Sequence, residues 1–556
     1  MKRLNLIIAI CIMLASADIN AQMFKEQIVD LSKKAATGTT YDIEATPSEV
    51  IVDDARQQID IIYTTKTKRK LIKFDVIQLD YDLNVVSQYS DELEVEKARS
   101  KYPWFRKRYR GDTYSIVGIT AETDLAGKLV VKKQETSFSY NWFSGKYKKK
   151  VKTLDKTKFK IPNAKKPTYG GHLNNPETGD AVVLAGLPDK FLMVKTYAVM
   201  VIDKDLNVKS NNTLDLKYAH RRLYSGAIAT ENDDESTAKD LVLVYAAAGG
   251  KGVYKPKVNA DPNVKNFTYV RISPEGKIKE QINFDTKVLN WDIAGITEKN
   301  GDVYIYGSGE TKSVGENHQK LLSAIGQGKQ DAFQVVKVSN GKADFVSAPK
   351  LAEINAASVK PPNQKKVLEY KGKKVEIRGI NITSNGDVFI NAQDYVGGAI
   401  KGAGGYQDLY MFHFASDGSF KRFYGVKSSQ DKGGAAGLAD AATNPRQYPT
   451  NGTVFEGANG KLNWVMEVVE DVAKVVRTYS DATYTYWIPQ RNLRVGQIDI
   501  ASGKIDSFEV LGDGKYYLYN NLKPVQINGG KQTLYMGAGG KNRRELWVVK
   551  YDPTKG

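Results

Sequence analysis

Two short stretches, Asp80/Asp82/Asn84 and Asp203/Asp205/Asn207, place oxygen-bearing side chains at alternate positions. The opening of a calcium loop uses that spacing to wrap one hard cation. The position where such a loop needs glycine holds Val85 or Val208, and neither stretch has the closing glutamate. Asp and Asn also build β-turns by bonding to nearby backbone, and turn usage is the favoured reading, with a weak ion site as the other. The four histidines, His172, His220, His318 and His413, are scattered without zinc-ligand spacing to one another or to a cysteine. A Gly-x-Ser-x-Gly elbow is absent, and Gly402, Gly404 and Gly405 lack the Lys-Ser or Lys-Thr that a phosphate cradle needs. No residue is therefore assigned a catalytic, cofactor-binding or metal-binding role, and no cofactor is expected.

The residues that could bind a partner are of a different kind. Trp104, Arg106, Arg108 and Arg110 interleave an aromatic with arginines, and Lys148, Lys149 and Lys150 follow soon after. Between Lys66 and Lys166 there are 25 Lys and Arg against 12 Asp and Glu, in a chain whose formal charge is +18. Such a segment suits anionic lipid head groups, acidic polysaccharide or an acidic protein surface. The bland alternative is a strand with a solvated lysine face. A third group, Tyr484, Tyr486 and Trp487, crowds an insertion spanning Val472 to Asn492, where aromatics with polar tips suit protein or sugar recognition.

The ends of the chain set the compartment. Lys2 and Arg3 precede an apolar run from Leu4 to Ala15, and Ala21 suits cleavage, so residues 1–21 read as a secretory signal peptide. No stretch reaches the roughly 20 apolar residues of a membrane-spanning helix. The expectation is an exported chain in the periplasm, at the periplasmic face of the outer membrane, or outside the cell. Export argues against nucleic acid as the partner. The single cysteine, Cys11, lies within the signal, so stability must come from burial rather than disulfides.

Positioning falls to a repeated element. Asn300-Gly301-Asp302-Val303-Tyr304-Ile305-Tyr306 returns 85 residues later as Asn385-Gly386-Asp387-Val388-Phe389-Ile390-Asn391. Asn-Gly signals a hairpin, and the run after it a strand. A second motif, Asp-x-Asp-Leu-Asn-Val, recurs at Asp80 and Asp203. One unit then contains four strands, Trp291–Glu298, Asp302–Gly307, Phe333–Ser339 and Ala343–Ala348, and the next repeats them from Val375 to Gly425. Four antiparallel strands per repeat predict an all-β propeller of seven, alternatively eight, blades over residues 41–556. Residues 22–40 are expected to form a short amphipathic helical leader, centred on Met23–Ala36. The last unit stops at Tyr551, so a strand near Tyr41–Val52 is expected to complete it, because an open edge invites aggregation. Insertions between second and third strands should all emerge on one face.

The Gly-Asp-Val-[Tyr/Phe]-Ile strands, the Asp-Gly turns and the cysteine-free exported chain resemble WD40-like and kelch-like extracytoplasmic β-propellers. Trp291-Asp292 opens a unit rather than ending it, unlike a true WD40 repeat, and the sialidase and quinone-dehydrogenase motifs are missing. In size, export and basic charge the chain is also similar to the periplasmic plug subunit of the type IX secretion translocon. That resemblance implies occlusion of an outer-membrane channel by a non-enzymatic scaffold. The competing class is a glycan-binding or glycan-cleaving secreted propeller.

Overall fold

A computed structural model describes residues 23–37, 46–67, 71–94, 114–124, 126–141, 146–159, 161, 166–188, 194–216, 220–230, 237–247, 265, 267–286, 288, 290–310, 330–362, 364–372, 375–396, 405–428, 452–457, 460–479, 482–520, 522–539 and 544–555. Among them the chain is nearly all strand. It opens with β1 (Phe24–Asp30) and a single helical turn, α1 (Lys33–Thr37). The first sheet is β2 (Glu49–Asp53), β3 (Gln58–Thr67), β4 (Leu71–Asp80) and β5 (Val85–Glu94); the second is β6 (Tyr114–Thr123), β7 (Leu129–Asn141) and β8 (Lys146–Phe159). The third is β9 (Thr168–Asn174), β10 (Ala181–Pro188), β11 (Val194–Ile202) and β12 (Val208–Asp215). Next come β13 (His220–Ala227), the two-residue β14 (Ala229–Thr230), β15 (Leu241–Ala247), β16 (Phe267–Ile272) and β17 (Ile278–Phe284), of which β14 joins the following sheet and the rest form the fourth.

The fifth sheet is β18 (Asn290–Lys299), β19 (Asp302–Glu310), β20 (Ala332–Ser339) and β21 (Lys342–Ser347), followed by the short helix α2 (Leu351–Ala356). β22 (Ser358–Val359) runs parallel to the outer strand of the sixth sheet, which is β23 (Val375–Ile382), β24 (Val388–Val396), β25 (Gly405–Phe414) and β26 (Phe420–Val426). A seventh sheet holds two meanders. One is β27 (Gly452–Glu456), β28 (Lys461–Tyr479), β29 (Ala482–Asp499) and β30 (Ile505–Val510). The other is β31 (Tyr516–Leu518), β32 (Val525–Ile527), β33 (Gln532–Gly539) and β34 (Glu545–Tyr551), joined to the first by one pairing, Arg491 with Leu518.

Middle strands such as β10 and β19 are apolar on both faces, because successive side chains point to opposite sides and both sides are covered. On β10, Val182 and Leu184 pack toward the fourth sheet while Val183 and Ala185 pack toward the second. On β19, Val303 and Ile305 face the fourth sheet, and Tyr304 and Tyr306 face the sixth. The same linkage runs on through Phe389, Met411 and Trp464, then Val465, Leu493 and Trp547, and then Leu534 and Val548 against Ile59 and Ile77 of the first sheet. From the second sheet to the seventh, sheets therefore stack face to face in chain order, and the second meander of the seventh sheet packs against the first sheet. This is a propeller-like arrangement.

The four-strand units expected around Trp291 and Val375 are present in the expected order. Their hairpins follow from turn chemistry: Asn300 and Gly301 sit at φ 53° and 81°, and Asn340 and Gly341 at 50° and 74°. Two successive positive φ values match the right-handed twist of the flanking strands, and Asn and Gly tolerate them best.

Three expectations are corrected. The leader is a strand followed by one helical turn, not a helix over Met23–Ala36. Phe24, Ile28 and Leu31 fit a helical spacing, yet Ile28 is 46% exposed while Phe24 is buried, so they do not form one face. The open edge of β34 overrides local preference by supplying backbone partners, from Phe24 opposite Tyr551 to Asp30 opposite Glu545. The segment expected to cover that edge, Tyr41–Val52, instead contributes β2, which pairs with β3. And Val472–Asn492 is no loop but the outer part of the β28–β29 hairpin, paired continuously to Tyr479 and Ala482.

Side chains reinforce the β1–β34 seam. The Phe24 and Tyr551 rings lie 4.8 Å apart, and the Glu26 carboxylate accepts from Trp547 Nε1 at 2.7 Å and from the Gly512 amide at 2.9 Å. Deleting residues 23–31 should lower the melting temperature sharply, and Trp547→Ala, which empties a fully buried site, should cost about 3–5 kcal/mol. Thermal denaturation checks both, and an unchanged melt after the deletion contradicts the seam.

Candidate interaction surface and the buried aspartate clusters

The basic candidates fall into two groups. Trp104, Arg106, Arg108 and Arg110 lie outside the described residues. Lys148, Lys149 and Lys150 lie on β8, opposite Ser139, Phe138 and Ser137 of β7. Every residue from Lys149 to Lys156 is exposed, on both faces of the strand, so this part of the second sheet stands clear of its neighbours. β8 has seven lysines against one acid, Asp155, and among the described residues no fourth strand covers its outer edge.

The lysines are accompanied by exposed apolar side chains. Ile116, Thr136 and Val151 are cross-strand neighbours on one face, and Ile116 and Val151 are 60% and 48% exposed. Val117, Glu135 and Lys152 line the other face, where Val117 is also exposed. Lower on the same sheet Ile119, Leu129 and Val131 are buried against the third sheet, which anchors the projecting part. Exposed aliphatics interleaved with lysines supply apolar area and long-range attraction for an acidic surface.

Tyr484, Tyr486 and Trp487 sit on β29, opposite Arg477, Val475 and Lys474 of β28. β-Branched residues recur along this ribbon, at Val468, Val469, Val472, Val475 and Val476, which is why it pairs rather than wanders. From Glu467 to Tyr479 it extends roughly 40 Å at about 3.4 Å per residue. Both the β7–β8 and β28–β29 hairpins join second to third strands of their units, so the topology sends both out at the same end of the strand stack.

Nothing in the sequence analysis singled out the most regular polar feature. Asp180, Asp240, Asp302 and Asp387 each stand at the head of a second strand, and each meets a cation reached across the sheet. Arg271, Lys337 and His413 occupy one register position, opposite the residue two beyond the aspartate. Arg271 binds Asp240 at 2.5 Å, Lys337 binds Asp302 at 2.9 Å and His413 Nε2 binds Asp387 at 2.9 Å. A second cation comes from a one-residue bulge in the outer strand: Lys209 reaches Asp180 at 2.8 Å, Lys279 reaches Asp240 at 2.9 Å and Lys421 reaches Asp387 at 2.8 Å. In the fifth sheet that bulged residue is Asp344, which shares Lys337 instead. In the first and seventh sheets a third-strand glutamine instead bonds the second-strand residue directly opposite it, Gln78 to Asp60 and Gln497 to Asn463. The legible signal was an Asp immediately before an apolar run in four successive units.

The Asp387 cluster shows what this chemistry does. Burial alone would raise the carboxyl, but hydrogen bonds from Lys421 and His413 outweigh it and hold the group below its usual range. Burial pushes His413 down from 6.5 to about 4, against the pull of Asp387, so the ring is neutral near pH 7. An ionised carboxylate only accepts, so the proton resides on Nε2. The ring stacks on Phe389 at 3.9 Å and is 0% exposed. No substrate reaches it, and the cluster ties second, third and outer strands together. Of the other described histidines, His172 bonds Tyr169 at 2.5 Å and His220 bonds Thr268 at 3.2 Å; His318 lies outside the described residues.

The Asp-x-Asp-x-Asn stretches are turns. Asp80 and Asp203 each accept the amide of Asn84 or Asn207 at 2.8 Å, and Leu83 and Leu206, at φ 60° and 65°, tuck into the core. Hydrogen bonds from the Asn207 backbone and side chain hold the Asp203 carboxyl low despite some desolvation.

Asp387→Ala leaves the buried His413 Nε2–H without its acceptor and the partly buried Lys421 ammonium without its counter-charge, and should cost about 3 kcal/mol. The unfolded chain protonates His413 below 6.5 and the folded chain only near 4, so this contribution to stability is complete above pH 6.5 and lost as pH falls toward 4. Melting temperatures measured from pH 7.5 to 4 should fall in that window, and less steeply in His413→Gln.

No family model matches the chain, and no curated protein matches it. Among solved structures the β-propeller domain of the Trilobed protease from Pyrococcus furiosus is similar at 10% identity over 84% of this chain and 97% of that one, with a TM-score of 0.20. Endo-arabinase from Bacteroides thetaiotaomicron is similar at 10% identity over 58% and 92%, with a TM-score of 0.23. A protein of unknown function from Dyadobacter fermentans is similar at 9% identity over 80% and 96%, with a TM-score of 0.24.

Proposed function

We propose that the chain is an exported, eight-bladed β-propeller that serves as a non-enzymatic docking scaffold at the cell envelope. The count takes the first six sheets and each meander of the seventh as one blade, with β1 as the outer strand of the last and the three-stranded second sheet as the odd member. The observation that carries the function is the second sheet, where exposed lysines alternate with Ile116, Val117, Val151 and the 43%-exposed Leu154 on a rigidly rooted hairpin. An acidic protein surface is its natural complement, drawn in by charge and held by the aliphatic side chains.

Removal of residues 1–21 would leave β1 intact, since its pairing begins at Phe24. Among the described residues no helix is long and apolar enough to cross a membrane. The resemblance to the plug subunit of the type IX translocon makes an outer-membrane secretion channel the partner of choice, with the two hairpins at one end of the strand stack entering or capping it.

The test is affinity purification of the tagged protein from envelope fractions. An outer-membrane partner should co-purify, and the charge reversal Lys149→Glu/Lys150→Glu/Lys152→Glu should reduce its recovery at least about tenfold while leaving the melting temperature unchanged. Recovery unaffected by the reversal, or turnover of a glycan with no envelope partner, overturns the reading.

A further inference from the structure

A cavity of about 620 Å³ opens among the first strands of three successive units, between β23, β27 and the β32–β33 hairpin. That volume suits a one- or two-ring ligand. Its charge balance is positive. Lys523 and Lys531 stand exposed on its wall, and Arg378 lines it from β23 with a side chain 13% exposed. The one lining carboxylate, Glu467, is already bound by Arg491 at 2.5 Å, and Arg378 is paired with Glu376 at 3.4 Å, so the positive balance rests on Lys523 and Lys531.

The polar groups deeper in the wall are held ready and incompletely satisfied. Asn391, 1% exposed, donates from Nδ2 to the Gly452 carbonyl at 2.6 Å, and Asn381 donates to the Val454 carbonyl at 3.2 Å. Both amides are thereby fixed to β27, and each leaves its buried Oδ1 without a protein donor. Arg378 Nε, also buried, has no acceptor. Arg378 itself is held by the Tyr406 ring, 4.6 Å beneath it, and by Gln393 at 3.3 Å. Gly452 is needed at this point, because a Cβ there would collide with the Asn391 amide. A buried acceptor without a donor is costly, and a bound molecule that donates hydroxyls relieves that cost.

Cations at the mouth, fixed amide acceptors beneath them and the half-buried Phe455 ring on the wall describe one ligand chemistry, hydroxyls together with a negative charge. We propose that this cavity binds a carboxylated sugar, the carboxylate toward Lys523 and Lys531 and the ring hydroxyls toward Asn391 and Asn381. The site lies on the inner strands, away from the projecting lysines of the second sheet, and does not depend on the scaffold reading.

Isothermal titration of the full chain with digalacturonic acid, with galactobiose as the uncharged counterpart, tests it. Digalacturonate should bind with a Kd below about 1 mM, galactobiose at least about tenfold more weakly. Lys523→Ala/Lys531→Ala should weaken digalacturonate at least about tenfold, and Lys523→Arg/Lys531→Arg should keep it; both lysines are exposed, so folding is spared. The Lys149→Glu/Lys150→Glu/Lys152→Glu variant should bind as the parent does. No heat with digalacturonate, equal binding of galactobiose, full binding in the double alanine variant, or loss of binding in the β8 variant each overturns the proposal.

Discussion

The bond between an aspartate at the head of a second strand and a cation carried by the third strand or by an outer-strand bulge recurs in four successive sheets, and the rest of the architecture leans on it. Face-to-face packing of apolar strands is non-directional and leaves register loosely specified wherever both faces are buried, since a shifted strand still presents Val, Ile and Tyr to each side. A buried charge pair is directional. Asp240 with Arg271, or Asp387 with His413 and Lys421, is satisfied in one register alone, and a slip would strand a charge in the core. The bulge that places Lys209, Lys279 or Lys421 belongs to the same device: an extra residue in the outer strand re-aims one side chain inward.

Units fixed in this way become a rigid base for two features that leave the stack. The second sheet is anchored by Ile119, Leu129 and Val131 and then continues into a lysine-rich hairpin with both faces exposed. The β28–β29 hairpin is anchored by Trp464, Val465 and Leu493, with Arg491 bound to Glu467 and to the Tyr519 carbonyl at the point where it leaves the core. In both, the apolar root sets the direction and the polar extension is free to meet something else. The inner strands supply a third environment, polar and positively charged, between β23, β27 and β32. Docking on projecting hairpins and ligand capture between inner strands make separate demands, so one scaffold can host both.

The candidate surface was half legible in the chain. Alternating lysines from Lys146 to Lys158 announce a strand with a solvated face, and the structure adds that both faces are solvated and that Val117 and Val151 share them. The aromatics at Tyr484, Tyr486 and Trp487 were legible as a cluster but not as part of a ribbon, because the Val-rich run before them reads equally well as an insertion until its partner strand is known. The histidines carried no spacing signal, and only cross-strand register reveals that His413 answers Asp387.

By itself the sequence determined what is local: strand identity from β-branched and aromatic runs, hairpins from Asn-Gly and Ser-Asn-Gly turns, and the four-strand repeat from the echo of Asn300–Tyr306 at Asn385–Asn391. These depend on backbone sterics and side-chain alternation within a few residues. Tertiary structure decided what depends on distant partners. Phe24–Asp30 became a strand, against its helical spacing, because the edge of β34 offered seven backbone partners more than 500 residues away. The aspartates found their cations through pairing register, and the cavity arose where three first strands converge. In each case the deciding energy is a contact between residues far apart in the chain, which no local pattern encodes.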